Sequence, residues 1–149
     1  MYKNFLITTD GSDLAQRGVE HGTRLAAEAG AKVTIMIVTE RFPTHGTVAG
    51  LGIAVEAGDL EAWKAARDDY ATGVLNKARA LADELKVPAE VVHVPGAAPA
   101  ESIVEVATEH SCDLIVMASH GRRGIGRLLL GSQASEVLAL SKVPVLIVR

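Results

Sequence analysis

Five short apolar runs, separated by stretches of helical periodicity, limit this chain to few folds. The runs are "NFLITT" (4–9), "VTIMIVT" (33–39), "EVVHV" (90–94), "DLIVMA" (113–118) and "PVLIV" (144–148). "VTIMIVT" is nearly continuous in apolar character, as expected of a strand covered on both faces in a parallel sheet. Alternating strands and helices argue for a doubly wound α/β domain, a five-stranded parallel sheet with helices on both faces. A length of 149 residues suits one such domain, spanning 1–149.

The helical stretches carry their own punctuation. Ser12 or Asp13 is placed to cap a first helix, whose face holds Leu14, Gly18, Gly22, Leu25 and Ala29, and Gly30 ends it. A long helix is expected over about residues 58–86. Its stripe of Leu60, Trp63, Arg67, Tyr70, Val74, Ala78, Leu81 and Leu85 is apolar except at Arg67. Trp63 and Tyr70 are therefore expected in the core or an interface. Two shorter helices are expected from Pro99 to His110 and from Ser132 to Ser141. The glycine-rich segment 41–59 has weak periodicity and is expected to be a mobile loop over the strand ends.

Open sheets of this kind bind ligands beyond the carboxyl ends of their strands, where strand order reverses. Three strand ends therefore carry the candidate chemistry. The fourth run leads into "ASHGRRGIGRLLLGSQASEVL" (118–138). No Walker loop is present, because Ser132 rather than Lys follows Gly131. The dinucleotide fingerprint also fails, since Leu129 stands where its third glycine belongs. What remains is Gly121 at the strand end and Gly131-Ser132 at the mouth of a helix. A helix start presents unpaired amides and partial positive charge, and so makes an anion seat. Gly131 would let an anion approach the backbone, and Ser132 would add a hydroxyl or cap the helix. A plain helix cap after a solvated basic loop explains the same residues about equally well.

At the first strand end, Asp10 precedes a glycine turn. Its carboxylate can accept from ribose hydroxyls, hold a divalent cation or close an Asx turn. At the second, Val38 and Thr39 can offer backbone groups to an adenine edge. His120 is the one histidine within the glycine loop.

Several classes of function drop out. A net charge of −3 opposes bulk nucleic-acid binding. A single cysteine, Cys112, excludes an internal disulfide framework and reads as a small buried hydrophobe. No run reaches the roughly 18 apolar residues of a membrane span, and the first residues lack a secretory signal, so a cytoplasmic location is expected. Neither a zinc-protease His pair nor a G-x-S-x-G elbow is present.

Taken together, "FLITTDGSDLAQRGVEHGTRLA" and "DLIVMASHGRRGIGRLLLGSQASEVLALSKVPVLIV" resemble the universal stress protein family over essentially the whole chain. The nucleotide-binding branch of that family carries G-x2-G-x9-G-[S/T]. Here Gly121, Gly131 and Ser132 match, and Ala118 occupies the first glycine position. Its methyl is expected to weaken or adjust binding rather than abolish it.

The resemblance implies a Rossmann-like, adenine nucleotide alpha hydrolase-like fold that binds ATP, with or without Mg2+. It implies that Asp10 contacts ribose or metal and that Val38 reads adenine through its backbone. Gly121, Gly131, Ser132 and Gln133 would hold the phosphates, with Ser119, His120 and Arg122 near them. Thr8, Thr9, Met117, Ala118 and Ala134 would complete the nucleotide site. The resemblance further implies a nucleotide-responsive homodimer joined through the last strand, Val143 to Val148. A partner-binding dimer without nucleotide and a slow ATPase are the alternatives.

Overall fold

The computed structural model describes residues 1–41, 57–121 and 129–149. Strands β1 (Asn4–Thr9), β2 (Lys32–Thr39), β3 (Ala89–Pro95), β4 (Leu114–Ala118) and β5 (Val145–Val148) alternate with helices α1 (Asp13–Ala29), α2 (Ala57–Glu84), α3 (Pro99–Glu109) and α4 (Ser132–Leu140). Every strand pair is parallel, and the strand order is β3-β2-β1-β4-β5. The order reverses between β1 and β4, which makes that crevice the expected ligand position.

Side chains alternate across each strand, and the two faces fill two cores. Phe5, Ile7, Val33, Ile35, Leu114 and Val116 meet Val19 and Ala26 of α1 and Leu75, Ala78 and Ala82 of α2. Leu6, Met36, Ile115 and Met117 meet Ile103 and Val106 of α3 and Ala134 and Val137 of α4. Both faces of the three inner strands are thus covered, which is why those runs read as continuous apolar stretches.

Helix α1 starts at Ser12, whose hydroxyl accepts from the Ala15 amide at 3.2 Å, and stops at Gly30, which is left-handed at φ 61°. Gly18 and Gly22 are buried against the sheet, as the periodicity predicts. A Cβ on Gly22 would stand 3.0 Å from Ile7 Cδ1 and 3.1 Å from Val116 Cγ1, so the glycine sets how closely α1 can lie. In α2 the buried stripe is Ala71, Leu75, Ala78 and Ala82. That lies about one residue round the helix from the predicted stripe, and it turns Trp63, Arg67 and Tyr70 elsewhere. Cys112 is buried, and burial pushes its thiol pKa up, as befits a packing residue. Most of the expected loop at 41–59 lies outside the described residues, while Ala57 to Asp59 belong to α2.

Candidate functional site

A cavity of about 880 Å3 opens at the carboxyl ends of β1, β2 and β4, a volume in the range of small-molecule sites. Thr8, Thr9 and Asp10 line it from β1, Val38 from β2, and Met117 and Ala118 from β4. His120 and Gly121 follow from the β4 end, and Gly131, Ser132, Gln133 and Ala134 from the start of α4. Residues far apart in the chain thus share one wall because parallel strands all deliver their carboxyl ends to the same edge.

The β1 end is held from two sides. Asp10 Oδ1 accepts from the Ser12 amide at 2.9 Å, an Asx turn that leads into the α1 cap. The Tyr70 hydroxyl of α2 donates to the Asp10 carbonyl at 2.8 Å. Gly11 makes this contact possible: it sits at φ +79°, and the Tyr70 hydroxyl occupies the space a Cβ would take. Across the crevice, a Cβ on Gly121 would lie 2.9 Å from Asp10 Oδ2. Gly121 therefore serves the close approach of the β4 end to the Asp10 carboxylate.

The start of α4 differs in detail from the sequence expectation. Gly131 itself is the N-cap, Ser132 is the first helical residue, and the helix has no side-chain cap bond. Its first turn also carries no acidic residue. The amides of Ser132, Gln133 and Ala134 thus open the helix beside the cavity, with the positive end of the dipole behind them. Gly131 sits at φ −61°, open to any residue, so its requirement is space. A Cβ there would lie 3.0 Å from the Ser119 carbonyl oxygen and 3.3 Å from His120 Cα. It would press on the protein's own backbone rather than fill the anion seat. The Gly131 amide donates to that same carbonyl at 2.8 Å, which ties α4 to the β4 end.

Ser119 does not line the cavity. It is buried, its amide donates to the Val148 carbonyl at 2.8 Å, and its hydroxyl pairs with His120 Nδ1 at 3.0 Å. Its hydroxyl is turned to the His120 ring. Arg122 lies outside the described residues. The Ala118 side chain belongs to the α1 face of the sheet, where a Cβ on Gly18 would come 4.0 Å from its own Cβ. The Ala118 methyl thus lies at ordinary packing distance from the Gly18 position.

Residues absent from the sequence expectation complete the walls. Trp63, Arg67 and Tyr70 line the cavity from α2, so Trp63 and Tyr70 are not in the core, one of their two expected placements. The signal was present: Arg67 breaks an otherwise apolar stripe, and a charge there is best explained by a wet neighbour. Pro99 and Ile103 contribute from α3, and Glu40 and Arg41 from the end of β2.

Behind this wall, Thr39 Oγ1 pairs with His93 Nε2 at 2.8 Å. Burial lowers the His93 pKa, Asp68 opposes that shift and Arg67 adds to it. The folded state therefore disfavours the imidazolium, while the unfolded chain protonates near the usual 6.5. The unfolded state binds more protons below that pH, so this stability contribution is fully present above about pH 6.5 and is lost as pH falls from there through the lower folded value. Urea melts at pH 7.5 and 5.5 should show a loss on acidification that is smaller in His93→Gln. An equal loss in the variant would remove His93 as its source.

Comparison with known proteins fits this geometry. A universal stress protein of Thermus aquaticus is 36% identical over 149 residues, covering all of both chains. The solved structure of MJ0577, from Methanocaldococcus jannaschii, superposes with a TM-score of 0.81 at 24% identity, covering 99% of this chain and 96% of that one. A universal stress protein whose crystal structure is a complex with cAMP superposes at 0.68 with 28% identity, covering 99% and 97%. The profile of the Universal stress protein family matches residues 1–149, and this chain belongs to that family.

Proposed function

We propose that this chain is an ATP-binding, nucleotide-responsive protein that works by binding and signalling rather than catalysis. The carrying observation is the cavity where the uncapped start of α4 faces Asp10 across the β1–β4 crevice. The amides of Ser132, Gln133 and Ala134 receive the phosphates, Asp10 accepts from the ribose hydroxyls, and the Val38 backbone meets the adenine edge. His120 stands beside the phosphates, positioned by Ser119. The adenine nucleotide held by a 28% identical relative supports this choice of ligand.

Three amide bonds to charged oxygens contribute about 1.5–3 kcal/mol each. Micromolar affinity needs roughly 8 kcal/mol beyond association costs, so contacts to ribose and base are required as well. Magnesium fits only as a companion of the phosphates. Among the described residues no group of three His, Cys, Asp or Glu is placed to hold a metal, and Mg2+ commonly takes one or two carboxylates plus phosphate. Asp10 is the residue that would touch it.

The chain acts as one domain, 1–149, in the cytoplasm, and pairs with a second copy through Val143 to Val148. Strand β5 is a sheet edge whose residues are half-buried, and an apolar edge of this kind is commonly covered by pairing.

Nucleotide released by denaturing the purified protein should be identified as ATP by mass spectrometry. Calorimetry with ATP and Mg2+ should show saturable heat. At a hundredfold excess over Kd, stabilisation of about 2.7 kcal/mol should raise Tm by roughly 5–10 °C. No released nucleotide, no heat and an unmoved Tm would favour a partner-binding dimer instead.

A further inference from the structure

We infer that Trp63 and Arg67 of α2 form the base-recognising wall of this cavity, packing against the aromatic base of the bound nucleotide. The inference rests on the nucleotide reading above and deepens it.

Helix α2 precedes a parallel strand and so runs antiparallel to the sheet, with its first half beyond the carboxyl ends of the strands. Tyr70 marks the level of those ends through its bond to the Asp10 carbonyl. Trp63 lies seven residues earlier, about 10 Å farther out at ~1.5 Å per residue. It therefore stands as a side wall above the strand tips, and it lines the cavity together with Arg67.

Position along the sheet decides which part of a nucleotide meets this wall. The α4 amides stand at the β4 end. Helix α2 packs over β2 and β3. Two strand intervals separate β4 from β2, about 10 Å at ~4.8 Å each. A nucleotide with phosphate at α4 and ribose at Asp10 thus extends its base toward α2. Pro99 and Ile103, from the helix on the other sheet face, line the same cavity and supply an apolar second side.

The chemistry of the wall suits an aromatic base. The Arg67 guanidinium carbon lies 5.3 Å from the Trp63 ring centroid, a cation–π pair. Asp68 holds the same guanidinium at 2.8 Å, and the Arg67 side chain is 16% exposed. The arginine is thereby held beside the indole. A planar guanidinium and an indole both stack on bases. Arg67 by itself would suit a phosphate as well, so it is the indole face of Trp63 beside it that points to a base.

Trp63 is the chain's one tryptophan, so its emission reports this wall alone. The protein is titrated with ATP and, separately, with inorganic tripolyphosphate, which lacks the base. ATP should change the Trp63 emission over the concentrations at which calorimetric heat saturates, and tripolyphosphate should leave it unchanged. Trp63→Ala should weaken ATP about 5- to 100-fold, the range for losing one base–aromatic stack, without weakening tripolyphosphate. Trp63→Phe should restore most of the affinity, and Arg67→Met should weaken ATP less than Trp63→Ala.

Heat from ATP with silent Trp63 emission would overturn this inference and leave the nucleotide reading intact. Equal weakening of ATP and tripolyphosphate in Trp63→Ala would do the same, since it would mark a structural role. No heat in the unaltered protein would overturn both.

Discussion

Gly131→Val should lower ATP affinity by about a hundredfold or more while leaving the protein folded. The β-carbon alone would stand 3.0 Å from the Ser119 carbonyl and 3.3 Å from His120 Cα, and valine adds two methyls to that point. Both neighbours are backbone and cannot rotate away. The start of α4 must move off the β4 end, and the amides of Ser132 and Gln133 leave their aim. Losing two amide bonds to phosphate costs about 3–6 kcal/mol, and each 1.4 kcal/mol is about tenfold. Gly131→Ala should fall between the two. Calorimetry measures the affinities, and far-ultraviolet circular dichroism checks the fold. Undiminished affinity in Gly131→Val would move the phosphate seat away from α4.

The largest effect on stability is expected at the α1–sheet contact. Ile7 is fully buried between Ile35 of β2 and Val116 of β4, under α1. Ile7→Ala should cost about 2–5 kcal/mol, since the close-packed surroundings relax only partly into the cavity. That is a large share of a total stability of about 5–15 kcal/mol. With a urea dependence of about 2 kcal/mol per molar, the midpoint should fall by roughly 1–2.5 M.

Gly22→Ala tests the same contact from the other side. Alanine favours a helix interior by about 1 kcal/mol over glycine, so the change would stabilise if space allowed. Instead its methyl meets Ile7 Cδ1 at 3.0 Å and Val116 Cγ1 at 3.1 Å, and overpacking of about 1–3 kcal/mol should prevail. In an Ile7→Val background, which lacks Cδ1, the penalty should shrink. Purely additive costs in the double variant would show that the two residues do not share that space.

The residues that line the cavity and those that fill the core interleave along the same strands. Ile7 holds α1 down, and three residues later Asp10 faces the cavity. Val116 packs under Gly22, and beyond it Ser119 and Gly121 shape the crevice. The site can be rigid because each strand that delivers a cavity residue is pinned just below by core contacts.

By itself, the sequence determined the class of fold, nearly all element positions and the strand-end part of the cavity. Strands buried on both faces read as unbroken apolar runs, and helices keep a 3.6-residue period, so both signals are local. Asp10, Gly121, Gly131 and Ser132 were legible because turn glycines and a helix start at strand ends are local signals too, whereas Val38, Gln133 and Ala134 were singled out by the family resemblance. The tertiary structure alone decided the strand order β3-β2-β1-β4-β5. It also decided that the Ala118 methyl points to Gly18, that Gly131 is needed by the Ser119 carbonyl, and that Trp63 and Arg67 overhang the cavity. Each of these depends on which element lies next to which. A stripe of side chains states only that something covers it, whereas packing decides what does, and for α2 a rotation of one residue separates core from cavity wall.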